Sequence, residues 1–290
     1  MSGTTDAHEW DLVVRRLPTA NRQDKEAVYD HLRLSYDALG NYHVNLQMCF
    51  LYLAAFLEDE MVSAEYKAIP LWMGEGLLEG QSRGHDPFEM GRIYINILAD
   101  RCLIEPIERE VNGRVFEFRV HDVLRDLAIQ IAEHEENFYC RAGQGLTTLN
   151  ENECSGRTRI LLNNNNLTSL PQSWSAPQIC SLTLRQNNIV KIPRRLFEGM
   201  TSLKILDLNR TYLESLPQNL GCLKQLVYLN LAYVPIRRLP PSFTKLVNLQ
   251  TLILSRSRIT KLPSDIHKLR SLKCLSLNRC ADLQCLPYSI

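Results

Sequence analysis

No apolar run in this 290-residue chain is long enough to cross a membrane. The longest, Met48 to Leu57 (MCFLYLAAFL), is about half of the ~20 residues a spanning helix needs, so it reads as a core helix. The opening MSGTTDAHEWDL shows no basic stretch followed by an apolar one, which argues against secretion. Paired CxxC spacings are missing: the nine cysteines are odd in number and scattered. That pattern predicts reduced, mostly buried thiols in the cytoplasm, without a disulfide framework or a metal site. None of the 13 glycines is followed by lysine, so no GxxxxGK[ST] loop is present to wrap a nucleotide's phosphates. No acidic run follows an apolar strand in the way a magnesium site would need. HEENF at 134–138 is not HExxH, His43 and His85 stand alone, and no Ser or Cys sits in a nucleophile elbow. Clustered Glu58-Asp59-Glu60 reads as a turn after a helix. No catalytic residue is expected, and the chain is not read as an enzyme.

Charge of one sign is scarce in each half. Residues 1–150 hold 14 Lys+Arg against 25 Asp+Glu, net −11, and residues 151–290 hold 19 against 7, net +12. Oppositely charged halves attract one another at modest ionic strength, or each recruits its own partner.

What the second half has in plenty is a period. Leu170-Pro171, Ile192-Pro193, Leu216-Pro217, Leu239-Pro240, Leu262-Pro263 and Leu286-Pro287 recur every 22 to 24 residues. Ahead of each lies an apolar pair two apart, from Ile160/Leu162 to Leu275/Leu277, which predicts a short strand with one face inward. Three residues further on stand Asn165, Asn187, Thr211, Val234, Ser257 and Cys280. The two asparagines suit a turn in which a buried amide satisfies backbone groups, and Val234 predicts an irregularity. These features are identified as the leucine-rich repeat, LxxLxLxxNxIxxLP. Stacked repeats bury a leucine core that none could bury alone, and the outward strand positions choose the partner. Among these, Arg159, Arg185, Asp207, Arg210, Tyr228, Tyr233, Arg256 and Arg279 are the candidate contacts, since Tyr and Arg anchor interfaces. A protein fits this face better than nucleic acid, for which no recognised module is present. No polar closing repeat follows the sixth Leu-Pro, which predicts an open array.

The first half has helical periodicity. Val28, Leu32, Leu34 and Leu39 form the expected stripe of one helix, VNLQMCFLYLAAFL a second, and residues 63–80 a third, capped by Ser63 and disturbed at Pro70. Asp86-Pro87 opens a fourth. CLIEPIE and VFEFRV, joined at Asn112-Gly113, predict a hairpin. Helices closed by such a wing make a winged helix. Its candidate reading helix, 63–80, carries one Lys against three Glu, so DNA is not expected as a partner.

The blocks LRLSYDAL, CFLYLAAFLEDE, LWMGEGLLEG and RVHDVLRDLA stand in the order and spacing of the winged-helix subdomain of the NB-ARC module in plant intracellular immune receptors, the NLR disease resistance proteins. Those receptors carry leucine-rich repeats directly afterwards. The resemblance covers about residues 25–290, and EWDLVVRRLP is similar to the end of the preceding helical subdomain. In Val120-His121-Asp122, where the family usually has Met-His-Asp, it implies that His121 hydrogen-bonds a phosphate of bound ADP, holding the resting state closed, and that Asp122 orients the turn. An imidazole N–H can make that bond. Read without the resemblance, His121 packs between hairpin and helix and Asp122 is a plain N-cap. With no phosphate loop, neither ADP nor ATP is expected to bind this chain tightly; both belong to the full receptor.

The expected architecture is α+β and multidomain: a remnant of a helical subdomain (1–22), the winged helix (23–137), a linker and repeat cap (138–157), and an α/β horseshoe of about six repeats (158–290). The implied function is a segment of a plant defence receptor. Its repeats recognise a pathogen effector or guarded host protein, basic repeats rest on the acidic winged helix, and the His-Asp pair serves the ADP-bound off state. The alternative is a stand-alone repeat adaptor or decoy without nucleotide switching.

Overall fold

The computed structural model describes residues 22–78, 86–110, 112–172 and 174–288; the N-terminal remnant expected over 1–22 lies almost wholly outside them. The chain forms two compact units, residues 1–69 with 77–131 and residues 70–76 with 132–290.

In the first unit, α1 (Arg22–Asp37) runs into a tighter turn at Ala38–Asn41. Leu32, Tyr36 and Leu39 are buried, whereas Leu34 is 67% exposed. The expected stripe is corrected: positions 32, 36 and 39 share a face at helical spacing, and Leu34 lies two residues off it. Val28 is outside the described side chains. Helix α2 (Val44–Leu51) is capped by His43, whose Nδ1 accepts from Asn45 N–H at 3.2 Å. The run Phe50–Phe56 is buried throughout, as its all-round apolar character predicts.

Strand β1 (Val62–Ser63) was not foreseen; it makes the wing three-stranded. Ser63 Oγ then accepts from Tyr66 N–H at 3.4 Å, and a wide turn over Ala64–Ala68 leads into α3 (Ile69–Glu75), which from Pro70 onward belongs to the second unit. Pro70 has no N–H to give the helical ladder, which accounts for the irregular start. Gly76, at φ +81°, stops α3 five residues earlier than the sequence suggests. Helix α4 (Pro87–Asp100) opens on Asp86, whose Oδ1 accepts from Phe88 N–H at 3.1 Å. At Gly91 a Cβ would lie 2.7 Å from Ile69 Cγ1, so only glycine lets this helix approach so closely.

Strands β2 (Glu105–Arg109) and β3 (Val115–Arg119) pair antiparallel, in the order β1-β3-β2. Pro106 is tolerated because β2 is an edge. Gly113 takes φ +81°, and Glu110 N–H bonds Arg114 carbonyl at 2.8 Å. The connection is therefore longer than the two-residue turn that Asn-Gly suggests. Helix α5 (Asp122–Glu135) follows, with Leu124, Leu127, Ala128 and Ile131 buried.

In the second unit seven parallel strands stack in chain order: β4 (Phe138–Cys140), β5 (Arg159–Leu161), β6 (Ser181–Thr183), β7 (Ile205–Asp207), β8 (Tyr228–Asn230), β9 (Thr251–Ile253) and β10 (Cys274–Ser276). The segment 138–157 thus contributes the first strand of the repeat sheet. The register is even, Ile160 facing Leu182, then Leu206, Leu229, Leu252 and Leu275. Inward leucines form one continuous core, and most coils close through a short helical turn such as Leu196–Gly199 or Pro241–Lys245.

Candidate functional site

At the head of α5, His121 carbonyl accepts from Arg125 N–H at 2.9 Å. His121 therefore caps the helix with its backbone, and Asp122 is the first helical residue. This corrects Asp122 as the N-cap. Its carboxylate still serves the helix start, accepting from Val123 N–H at 2.6 Å, and it also bonds His121 Nδ1. Both side chains are partly exposed, while Val120 beneath is fully buried. Asp122 thereby fixes the imidazole, and a ring with both nitrogens protonated would still offer Nε2–H to an anion.

The repeat positions separate into two groups. Asn165 Nδ2 donates to Leu162 and Arg141 carbonyls at 3.0 and 2.7 Å, and Asn187 Nδ2 to Leu162 and Leu184 carbonyls at 2.8 and 3.0 Å. At Val234 the backbone turn persists, with its N–H on Leu231 carbonyl at 3.2 Å. What lapses there is the side-chain bond; the strand register is unchanged.

Four of the eight expected partner contacts are not exposed. Arg159 Nε lies 2.8 Å from Glu75 Oε2, a carboxylate only 2% exposed, and its guanidinium stands over the Phe138 ring. Arg185 is buried with Nε 4.0 Å from Asp207 Oδ2. Asn230 Nδ2 links Asp207 Oδ2 and Tyr228 Oη at 3.3 and 3.2 Å. Tyr228 is 1% exposed, and burial, reinforced by the charge of Asp207, pushes its hydroxyl well above the usual tyrosine range.

The cover over part of this face is segment 70–76, which sequence reasoning assigned only to a helix. At Gly74 a Cβ would meet Tyr228 Cβ at 2.7 Å and Ile205 Cγ1 at 3.0 Å. Glu75 also takes Cys180 Sγ at 3.4 Å, and burial, followed by the Glu75 charge, pushes that thiol up to about 12. A glycine inside a helical pattern is the one signal that marked the approach.

The other four remain outward. Arg210, Arg256 and Arg279 are exposed, as is Tyr233. Arg210 and Arg256, from the repeats on either side, place their guanidinium carbons 4.6 and 5.1 Å from the Tyr233 ring centroid. These residues share a backbone state: Asn164, Gln186, Arg210, Tyr233, Arg256 and Arg279 all have φ between 53° and 57°, or 61° at Tyr233. Non-glycine residues in that region cost about 1–2 kcal/mol each. The cost is offset because the first five donate their N–H to the next repeat, as Tyr233 does to Ser255 carbonyl at 2.9 Å.

Thiols are less buried than expected: Cys49, Cys140 and Cys154 are buried, Cys222 and Cys285 exposed, and the rest intermediate. Among the described residues no cluster of three His, Cys, Asp or Glu could hold a metal ion, and no helix is long and apolar enough to cross a membrane.

Comparison with known proteins places two families on the chain. Residues 56–128 match the disease resistance protein winged helix domain, and residues 178–290 a leucine-rich repeat region. Among curated relatives from Arabidopsis thaliana, the disease resistance protein At4g10780 is 30% identical, over 83% of this chain and 27% of its own length. RPS5 is 29% identical, over 80% and 26%, and SUMM2 30% identical, over 74% and 24%. The chain thus spans about a quarter of the length of these relatives. Among solved structures, the Leptospira interrogans leucine-rich-repeat protein LIC12759 is 26% identical with a TM-score of 0.44, over 50% of this chain and 41% of its own.

Proposed function

Because the chain belongs to the plant disease resistance proteins, carrying their winged helix and leucine-rich repeats, we propose that it is the sensing and relay segment of an NLR defence receptor. Its repeats recognise a pathogen effector or a guarded host protein, and its winged helix serves the ADP-bound off state of a receptor that carries the phosphate-binding half. The observation that carries the reading is Glu75 of α3 on Arg159 of the first full repeat. It is a contact between the acidic and basic halves of the sequence, made inside the repeat unit. A ligand that competes for the strand face would release segment 70–76 and so pass the event to the helical half.

The nucleotide is served here by one group. His121, held by Asp122, would give a phosphate oxygen one N–H, and a charged hydrogen bond is worth about 1.5–3 kcal/mol. That falls short of the ~4 kcal/mol of even millimolar binding. Calorimetry of this chain with ADP is therefore expected to give no heat, with His121→Ala indistinguishable from the parent; nucleotide supplies phosphate chemistry only once the other half holds it.

The relay is tested in a complete receptor. Arg159→Glu, which sets two carboxylates together, is expected to raise signalling without elicitor, and adding Glu75→Arg to restore the resting level. Resting behaviour unchanged by the single reversal, or unrestored by the double one, would defeat the reading.

A further inference from the structure

We propose that the exposed ridge formed by Arg210, Tyr233, Arg256 and Arg279 is a docking site for an acidic, extended segment of the partner protein. The inference deepens the recognition reading above and rests on it.

Three observations converge. The ridge is pre-organised: each residue sits in the left-handed conformation, with φ of 55°, 61°, 57° and 57°. Inter-repeat bonds from Arg210 N–H to Ala232 carbonyl, 2.9 Å, and from Arg256 N–H to Asn278 carbonyl, 2.8 Å, hold the first and third in place. Little backbone ordering is left to be lost on binding. The guanidiniums are ordered too. Both guanidinium carbons lie over the Tyr233 ring at 4.6 and 5.1 Å, and a planar N–H fork held there suits a carboxylate bidentately. Finally, the surroundings are lopsided: residues 208–282 hold twelve Lys+Arg and three acids, Glu214, Asp265 and Asp282, so a carboxylate partner meets net attraction.

The same unit already shows what its arginines take. Arg159 holds the Glu75 carboxylate and Arg185 faces Asp207. A peptide is favoured over nucleic acid because an arginine from each neighbouring repeat already lies over the Tyr233 ring, and a base would have to compete with both for it. An extended chain with acids on alternate residues places them about 7 Å apart on one side, within the sweep of arginines set on strands about 5 Å apart.

The test is fluorescence anisotropy on the full chain with a fluorescein-labelled peptide alternating glutamate and serine. Its glutamine counterpart and a labelled oligothymidylate are measured alongside. The glutamate peptide is expected to bind, the glutamine peptide not, and binding should weaken with salt. Tyr233→Ala and Arg256→Glu are each expected to cost tenfold or more with the melting temperature unchanged. Lys245→Glu, which alters net charge equally on the turn between β8 and β9, should cost less than threefold. Absence of glutamate-peptide binding, equal binding of the glutamine peptide, or equal losses in all three variants would overturn the proposal. So would tighter binding of the oligothymidylate, which would assign the ridge to phosphate. None of these failures touches the Arg159→Glu signalling result, so the receptor reading stands or falls separately.

Discussion

At the scale of single residues, the consequences follow from how little room each has. Alanine at position 74 would bring a methyl within 2.7 Å of Tyr228 Cβ, and neither backbone can yield without moving a strand or a helix. Gly74→Ala is expected to cost about 1–3 kcal/mol, as overpacking generally does, read as a lower midpoint in urea. Asn187 is sensitive for the opposite reason. Its removal leaves Leu162 and Leu184 carbonyls without its amide, and Leu167 N–H, 3.1 Å from its Oδ1, without an acceptor. Asn187→Ala should cost about 3 kcal/mol at the ~1–3 kcal/mol of each unsatisfied buried group. Thr211→Val, which loses one bond from its hydroxyl to Leu208 carbonyl, should cost about 1 kcal/mol. Equal losses at the two sites in chemical denaturation would show that the amide's extra bonds contribute nothing.

At the scale of elements, the strands were legible because their cause is periodic, and the left-handed residues after them were not. Arginine and tyrosine carry no preference for positive φ, and only the stacking of one repeat on the next imposes it. Asn165 and Asn187 could be named from sequence because an amide in that turn has a local partner three residues back. Glu75 could not, since Arg159 lies 84 residues away and no period connects them. Leu34 misled because apolarity alone does not fix which face of α1 is covered. The left-handed ladder makes its own prediction. Gln186, at φ +53° and exposed, has backbone strain that glycine would relieve, against a larger entropy loss on folding. Gln186→Gly is expected to be neutral or stabilising by up to about 1 kcal/mol, whereas Gln186→Val, with its branched Cβ, should destabilise by about 1–2 kcal/mol. A valine variant as stable as the parent in thermal melts would mean that the ladder relaxes at that position.

At the scale of the whole molecule, the division of charge was plain in the sequence, but its expected consequence, salt-sensitive attraction, does not extend to the contact observed. Salt screens exposed charges over about 10 Å at 0.1 M and buried pairs much less, and the Glu75 carboxylate is 2% exposed. Cys180 supplies a reporter, because its thiol touches that carboxylate. With the folded thiol held up to about 12 against an ordinary value of 9.0, its thiolate is suppressed about a thousandfold relative to an ordinary thiol well below that value. Since the thiolate is the reactive form, iodoacetamide should modify Cys180 far more slowly than the exposed Cys222 and Cys285 at pH 8, and added salt should not close the gap. Arg159→Ala removes one partner of a buried ion pair, and breaking such a pair from one side costs about 3–5 kcal/mol. Glu75 is the last residue of α3, followed by Gly76, so fraying one turn is the cheaper response. The variant should therefore modify Cys180 at least tenfold faster, measured by mass spectrometry of the peptide, while the repeats keep their melting transition within a few degrees. Faster labelling accompanied by collapse of that transition would instead make Glu75–Arg159 a prop of the solenoid, and segment 70–76 would lose its claim to be the part that moves.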